Sequence, residues 1–381
     1  MKIMMVTRGY PQKHNKMLGV FEKDQAKALI AAGHQVAYAV VDIRSIRRKR
    51  KFGFNHFVDD GVEVFEMNYP IGPMPRPMIE YCRQQALVNL YPYITELFGR
   101  PDIVHAHFLN YGVISRKLCK REHLPLVITE HSSYLNQDHL PKKIVRRAQK
   151  AYDASSAIIA VSDSLAKSIY NATGHKAVVI SNIADVISSS EPNLEENSDC
   201  FSFAAAGQLI HRKGFDVLLD SFSDVINMTK KNLKLIIYGD GPKRNELFKQ
   251  AQTLGISKNV EFYGAYQKNE IIKLFQKSNA FVLPSRGETF GVVYIEALAA
   301  GIPVIATICG GPENYITEKQ GILIEIDNAS ALTKAMLDMV EGRKKYDSEE
   351  LIDFVKSNFS SEVIATKITE LYKQVLLKGE V

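Results

Sequence analysis

Short, nearly continuous apolar runs recur along the chain, each followed by a longer stretch in which apolar residues fall three and four positions apart. In the first half the runs cover residues 2–6, 35–41, 62–67, 102–107, 126–130, 157–162 and 177–181. Between the first two lies GVFEKDQAKALIAAGH, with Phe21, Ala28 and Leu29 at helical spacing and Gly33 as a stop signal. Apolar strands that alternate with helices predict a parallel sheet covered on both faces.

The alternation breaks at ADVISSSEPNLEENSDC, which is rich in Ser, Glu and Asn, carries a proline and reads as an exposed linker. It then restarts with apolar runs at 201–206, 233–239, 260–264, 280–284, 303–307 and 321–325. The expectation is α/β: two Rossmann-like, doubly wound domains, residues 1–185 and 200–360, with the boundary near 186–199. A ligand is expected in the cleft between them, at the C-terminal ends of the strands. The segment NYPIGPMPRPM, residues 68–78, reads as an acceptor-facing or membrane-dipping loop, or as a connector.

Composition narrows the class. The chain has 381 residues, 46% hydrophobic and 24% charged, as expected of a globular chain with two domains. The opening MKIMMVTRGY lacks the apolar length and small-residue site of a secretory signal. No run approaches the roughly 18 apolar residues of a membrane span. The four cysteines, Cys82, Cys119, Cys200 and Cys309, lie far apart and suggest neither a zinc site nor a disulfide framework. A cytoplasmic enzyme is the default expectation.

The net charge of +6 is unevenly distributed: residues 1–185 carry 26 Lys/Arg against 16 Asp/Glu, and the remainder 22 against 26. Two runs dominate, RSIRRKRK from Arg44 and KKIVRRAQK from Lys142. They suggest an anionic partner, a membrane surface on the inner face of the cell being one reading. Nucleic acid is the weaker reading, because no zinc-finger, RRM or helix-turn-helix signature accompanies them.

Neither domain opens with G-x-G-x-x-G, which argues against a nicotinamide dehydrogenase. The second domain instead opens with AAAGQLIHRKGFD, placing Arg212 and Lys213 between a strand and a helix, where two cations suit a diphosphate. YGDGP and FYGAY each put glycine directly after a strand. In RGETFGVVYIEALAAG, Glu296 is the one charge between Gly291 and Gly301. On a buried helix that carboxylate needs hydroxyl or N–H partners, and ribose hydroxyls would serve. The helix start near Gly291 suits a phosphate, and Glu288 would face whatever the phosphate carries.

GETFGVVYIEALAAGIPVIAT resembles the E-x(7)-E motif of the retaining, family-four (group one) glycosyltransferases of the GT-B fold, particularly those of bacterial surface-polysaccharide synthesis. PDIVHAHF, VITEHSSYL, AIIAVSDSL, VVISNIAD, GQLIHRKGFDVLL, YGDGP and the terminal FSSEVIATKITELYKQVL extend the likeness along most of the chain. The resemblance implies a first domain that binds acceptor and a second that binds nucleotide sugar. It also implies a C-terminal helix, 361–381, that returns to the first domain. Lys213 with Arg212 would clamp the donor diphosphate, Glu296 hold the ribose, and Glu288 contact the sugar. Gly239, Gly241, Pro242, Tyr263, Phe290, Gly291 and Val292 would complete the donor side. His107 would approach the sugar ring, Gly19 let the first loop near the β-phosphate, and Glu130 and His131 line the acceptor side. His105 and His107 alternate on one strand and are expected to face opposite sides of the sheet, with His107, nearer the strand end, the site candidate.

The resemblance further implies catalysis without a metal or cofactor. The co-substrate would be a nucleotide diphosphate sugar, with uridine ahead of guanosine on family frequency alone, and the acceptor a glycan, lipid-linked on the strength of the basic runs. Three positions depart from the family pattern: Gln208 stands where an arginine is common, Leu18-Gly19 where a glycine pair is common, and Ser181-Asn182-Ile183 where Pro-Asn-Gly is common. A non-catalytic subunit should have lost Glu288 or the Arg212–Lys213 pair. A nucleotide-sugar epimerase places its acid and base differently, and a glycogen-type phosphorylase needs a pyridoxal lysine and a longer chain.

Overall fold

The structure, a computed structural model, describes residues 1–11, 18–45, 52–72, 74–136, 140–184 and 200–378. The chain forms two compact units, Met1–Ile183 with Ser361–Val381, and Ala184–Ser360. The expected linker, 186–199, and residues 46–51 of the first basic run lie outside the described residues.

The first unit holds strands β1 (Lys2–Thr7), β2 (Gln35–Ser45), β3 (Gly53–Asp59), β4 (Val62–Ile71), β5 (Ile103–His107), β6 (Leu126–Glu130), β7 (Ala157–Ala160) and β8 (Val178–Val179). They form one sheet in the order β3-β4-β2-β1-β5-β6-β7-β8. Every pairing is parallel except β3 with β4. That hairpin was not anticipated, although Asp60-Gly61 carries its signal. Both residues take positive φ, 54° and 78°, and Asp59 pairs with Val62 across them, the geometry of a two-residue hairpin turn. Residues 68–78 are not simply a loop either: Asn68 to Ile71 finish β4, and Pro75 caps the helix Arg76–Leu97.

The C-terminal helix Ser361–Lys378 belongs to this unit. Ile364, Ile368, Leu371, Tyr372 and Val375 repeat at helical spacing and are buried as one stripe. The stripe joins the core made by Ile3, Met5, Leu29, Val36 and Tyr38. Two polar contacts set its register: the Tyr372 hydroxyl lies 2.6 Å from His105 Nδ1, and Thr369 Oγ1 lies 2.8 Å from His34 Nε2.

In the second unit, β9 (Cys200–Ala206), β10 (Asn232–Tyr238), β11 (Val260–Gly264), β12 (Ala280–Leu283), β13 (Val304–Thr307) and β14 (Gly321–Ile324) form an all-parallel sheet in the order β11-β10-β9-β12-β13-β14. Phe203, Phe222, Phe275, Phe281 and Tyr294 fill its interior. In both sheets winding proceeds outward in two directions from the first strand. The order therefore reverses between β1 and β5 and between β9 and β12, and the loops leaving those strand ends diverge and leave a crevice.

Ile368→Ala should destabilise the first unit by about 2–4 kcal/mol, the usual cost of removing a buried isoleucine side chain. Glu370→Ala, exposed two positions further on, should shift it by no more than about 0.5 kcal/mol. Urea unfolding of the two variants tests both.

Candidate active site

The two loops that diverge at β9 and β12 carry Arg212, Lys213, Glu288 and Gly291, four of the expected donor-side residues. Residues 207–214 follow β9 and contain a short 3-10 turn, His211–Lys213; residues 284–291 follow β12 and lead to the helix Val292–Ala299. Lys213 Nζ donates to Glu288 Oε1 across the crevice, and Ser285 Oγ donates to the same oxygen at 2.8 Å. The Lys213 and Glu288 side chains are only 13% and 8% exposed, so each charge depends on the other for compensation.

Arg286 holds these loops in register. Its guanidinium donates to His211 O at 2.6 Å, to both Asp216 carboxylate oxygens at 2.9 and 2.8 Å and to Asp327 Oδ1 at 2.7 Å. Burial works to raise the Asp216 pKa, but the bonds and charge of Arg286 prevail and hold it below the ordinary carboxylate value. The loop after β13 adds a second brace. Glu313 accepts from the amides of Gly310 and Gly311 at 2.6 and 3.0 Å, Cys309 O accepts from the Glu288 amide, and the Tyr315 hydroxyl reaches Phe290 O and Gly291 O. Glu288 and the helix start are thereby fixed from both sides.

Of the other expected donor residues, Gly239, Gly241 and Pro242 follow β10 and Tyr263 lies near the end of β11. The Gly239 amide donates to Gly264 O at 2.7 Å, and a Cβ on Gly239 would stand 1.9 Å from Gly207 O, so only glycine lets these ends approach. Pro242 is exposed and Gly241 partly so. Tyr263 is 48% exposed and stands 5.0 Å, centroid to centroid, from buried Tyr238. Glu296 is buried on the helix Val292–Ala299, and its charge, after burial itself, contributes to raising the Tyr266 hydroxyl pKa. Phe290 is buried, Val292 half-buried, and Gly291 caps the helix. Arg212 is exposed and its carbonyl accepts from the Arg286 amide at 2.7 Å.

In the first unit the crevice at β1 and β5 brings together Arg8 and Phe108. The Arg8 guanidinium sits 4.7 Å from the centre of the Phe108 ring and pairs with buried Glu22 at 3.1 Å. Phe108 takes φ 67° at the cap of the helix Leu109–Glu122, a conformation that costs a bulky residue about 1–3 kcal/mol and collects at functional sites. The Tyr38 hydroxyl joins Gly9 O and Gly19 O at 3.0 and 3.2 Å, which closes the base of the first loop and places Gly19 at the start of the helix Val20–Ala31.

His105 and His107 share one face of β5, correcting the expectation that they lie on opposite faces. A strand repeats every two residues, and their rings are 4.5 Å apart. His107 Nδ1 lies 3.1 Å from His131 Nε2, and His131 Nδ1 lies 3.1 Å from Asn182 Oδ1. Since Asn182 Oδ1 can only accept, His131 carries its proton on Nδ1 and accepts at Nε2 from His107 Nδ1–H. His107 Nε2 is then a neutral acceptor, buried and without a hydrogen-bond partner among the described residues. Glu130 needs a correction as well. It is fully buried, with Oε1 accepting from the Tyr152 hydroxyl at 3.0 Å, and so does not line an open acceptor surface. The basic run at Lys142 forms the helix Lys142–Tyr152.

The family model "Glycosyltransferase Family 4" matches residues 19–186, and "Glycosyl transferases group 1" matches 187–350. The chain belongs to the group 1 glycosyltransferases. A putative teichuronic acid biosynthesis glycosyltransferase, TuaC of Bacillus subtilis, is 24% identical over 398 residues, covering 98% of this chain and 99% of TuaC. Alpha-monoglucosyldiacylglycerol synthase of Streptococcus pneumoniae is 34% identical over 161 residues, covering 41% of this chain and 36% of the synthase. Among solved structures, the lipopolysaccharide outer core galactosyltransferase WaaB has TM-score 0.72 at 16% identity, covering 100% of both chains. A complex of Anabaena HepE with UDP has TM-score 0.74 at 19% identity, covering 98% of this chain and 100% of HepE. These structures share the GT-B fold of two Rossmann-like domains.

Sequence reasoning missed the residues that brace the candidate site. Arg286, Glu313 and Tyr315 act on backbone atoms and on carboxylates distant in sequence. Asn182 and Arg8 stood inside quoted motifs, SNIAD and TRGY, with no chemistry to mark them.

The buried groups of the first unit set its pH response. Burial, aided by neighbouring positive charge, lowers His105 and His131 from the ordinary 6.5 to about 3, and lowers His107 well below it. Their contribution to stability is present above pH 6.5 and is lost as pH falls toward 3. Burial raises Glu130 from 4.5 to about 8, so its contribution is full below 4.5 and lost as pH rises through 8. The first unit should be most stable near about pH 6.5, with the histidines dominating the acid side. Urea unfolding across that range should show both limbs, and Glu130→Gln should flatten the alkaline limb while leaving the acid limb intact.

Proposed function

We propose that this glycosyltransferase transfers a hexose or N-acetylhexosamine, with retention of anomeric configuration, from a nucleotide diphosphate sugar to a glycan acceptor, lipid-linked, in surface polysaccharide synthesis. The observation that carries the reading is the buried Lys213–Glu288 pair beside the capped start of the helix Val292–Ala299. A cation, a carboxylate and unpaired helix amides converge there from separate loops. On this reading Lys213 leaves Glu288 for the donor diphosphate, Arg212 adds charge from the exposed side, and the amides near Gly291 complete the cradle. Glu288, freed, accepts from sugar hydroxyls and stabilises the positive charge that develops on the ring.

Glu296 takes the ribose hydroxyls, and Tyr263, half exposed beside Gly239 and Gly264, offers a face to the base. The bond from the anomeric carbon to the diphosphate oxygen breaks and a bond to the acceptor oxygen forms on the same face. The acceptor proton passes to a phosphate oxygen of the leaving group. Cationic side chains and helix amides then serve the leaving diphosphate without a metal. In the first unit, His107 Nε2 is a neutral acceptor for a sugar hydroxyl, with His131 and Asn182 behind it to fix the tautomer.

HepE has been solved with UDP and with UDP-glucose, which supports a uridine donor, and TuaC is named for teichuronic acid biosynthesis, which supports a biosynthetic transfer. No helix among the described residues is long and apolar enough to cross a membrane, and the basic helix Lys142–Tyr152 supports peripheral attachment to the inner face of the cell membrane.

Glu288→Ala should lower kcat by about 10²–10³ while leaving UDP affinity close to that of the natural chain. Lys213→Ala should weaken UDP binding by about 1.5–3 kcal/mol. Thermal stabilisation by a panel of nucleotide sugars would identify the donor, and steady-state transfer with that donor provides the rates. Full transfer by Glu288→Ala would remove the basis of the assignment, and an inverted anomer in the product would overturn retention.

A further inference from the structure

Glu130 has no part in the donor chemistry and does not face an open surface, yet it is a carboxyl fully buried at the end of a strand buried throughout. A leucine would pack there with no polar group to desolvate, so its neighbours decide what the carboxyl does. Side chains of β6 alternate between the two faces of the sheet, and Glu130 shares its face with Ile128. The helix Leu109–Glu122 lies on that face, where Gly112 packs directly on Ile128: a Cβ at Gly112 would stand 2.6 Å from Ile128 Cδ1. Glu130, two residues further along the strand, therefore comes under the first turn of that helix.

This turn needs an anchor. Its cap, Phe108, takes φ 67° and supplies no side-chain acceptor, and a bulky residue keeps such a conformation only where its surroundings hold it. The Phe108 amide donates to Thr129 O at 2.8 Å, and the Tyr111 and Gly112 amides donate to Phe108 O at 3.0 and 3.1 Å. The Leu109 amide, at the first helical position, has no acceptor within the helix, and it acts on the Glu130 carboxyl. Glu130 Oε2 is buried with no hydrogen-bond partner among the described residues, so the amide draws the carboxyl by its partial charge rather than through a short bond. The Tyr152 hydroxyl, at the end of the helix Lys142–Tyr152, holds Glu130 Oε1 at 3.0 Å. One carboxyl thus ties the end of one helix to the start of another.

The residue at the head of this turn lies beside the candidate site. The Phe108 ring stands 4.7 Å from the Arg8 guanidinium and 5.0 Å from the His131 ring, and His131 orients His107. We propose that Glu130 is a positioning residue for transfer: its carboxyl anchors the first turn of the helix Leu109–Glu122, the anchored turn keeps Phe108 at positive φ, and the Phe108 ring fixes Arg8 and His131 beside His107. The proposal rests on the transferase reading, since His107 enters the reaction only there, but the anchor itself belongs to the first unit.

Glu130→Leu fills the same space and removes the acceptor. It should lower kcat by about 10²-fold, the effect of a slightly misplaced group, with UDP affinity unchanged. Glu130→Gln should stay within about threefold of the natural chain, because its carbonyl can face Leu109 while the Tyr152 hydroxyl turns to accept from its NH2. Phe108→Gly tests the coupling. Glycine holds positive φ unaided, so in that background Glu130→Leu should cost no more than about a further twofold. Amide hydrogen exchange across residues 108–112 reads the anchor with no donor present: it should quicken by about tenfold in Glu130→Leu and stay unchanged in Glu130→Gln. Full kcat in Glu130→Leu, an equal loss in Glu130→Gln, the same loss with and without Phe108, or unaltered exchange each overturns the proposal. Should Glu130→Leu fail to fold, Tyr152→Phe removes only the hydroxyl and should lower kcat by about fivefold; full rate in that variant overturns the proposal as well. A natural chain that transfers no sugar from any nucleotide donor, yet shows the exchange difference, loses the transferase reading and keeps Glu130 as the helix anchor. One that transfers sugar with exchange unaltered keeps the reading and loses the anchor.

Discussion

A parallel sheet that winds outward in two directions must open where the winding reverses, because consecutive loops there turn toward opposite faces. That constraint governs both halves of this glycosyltransferase. In the first unit it parts the loops after β1 and β5, bringing Arg8 over Phe108 beside the His107–His131 pair. In the second it parts the loops after β9 and β12, and the Lys213–Glu288 ion pair spans the opening. The rest of each unit holds these openings at a fixed width.

The two openings are braced by different means. In the second unit the braces are charges and backbone bonds. Arg286 spreads one guanidinium over two carboxylates and a carbonyl, and Glu313 and Tyr315 lace the loop after β13 to the helix start. In the first unit the brace is a buried neutral chain in which Asn182 sets His131, and His131 sets His107. Behind it Tyr372 and Thr129 hold His105 from opposite ring nitrogens, each at 2.6 Å. Neutral imidazoles suit a buried site because no charge has to be desolvated there, whereas the charged pair of the second unit is tolerable only while each partner has the other. On the proposed reading, an arriving diphosphate would replace Glu288 as the anion facing Lys213.

Most of the architecture was legible from hydrophobic period alone. The runs at 126–130 and 260–264 coincide with β6 and β11; β6 is buried throughout, so no polar position blurs its ends, whereas β11 is an edge strand in which exposed and half-exposed residues alternate. The miss at β3 has the opposite cause. That strand is an edge hairpin with exposed and half-exposed residues throughout, so its apolar signal is weak and only the Asp60-Gly61 turn marks it. The helix Arg76–Leu97 was obscured by Pro75 and Pro77 at its start and Pro92 within it, since proline signals an ending wherever it is met without context.

For the site, sequence by itself determined which side chains are candidates: Lys213 after β9, Glu288 and Glu296 eight positions apart around a helix start, and the histidines at the ends of β5 and β6. Those candidacies follow from residue type, local spacing and the resemblance of the motifs to a family, and all of these are properties of the chain. Tertiary structure alone decided how the groups are paired. Lys213 and Glu288 are 75 residues apart in sequence, His105 meets a tyrosine 267 residues away, and Glu130 proved to be buried against Tyr152 rather than facing a ligand. A pairing depends on where strands sit in the sheet and which loops diverge at its reversal point, and neither is written in the neighbourhood of the residues concerned.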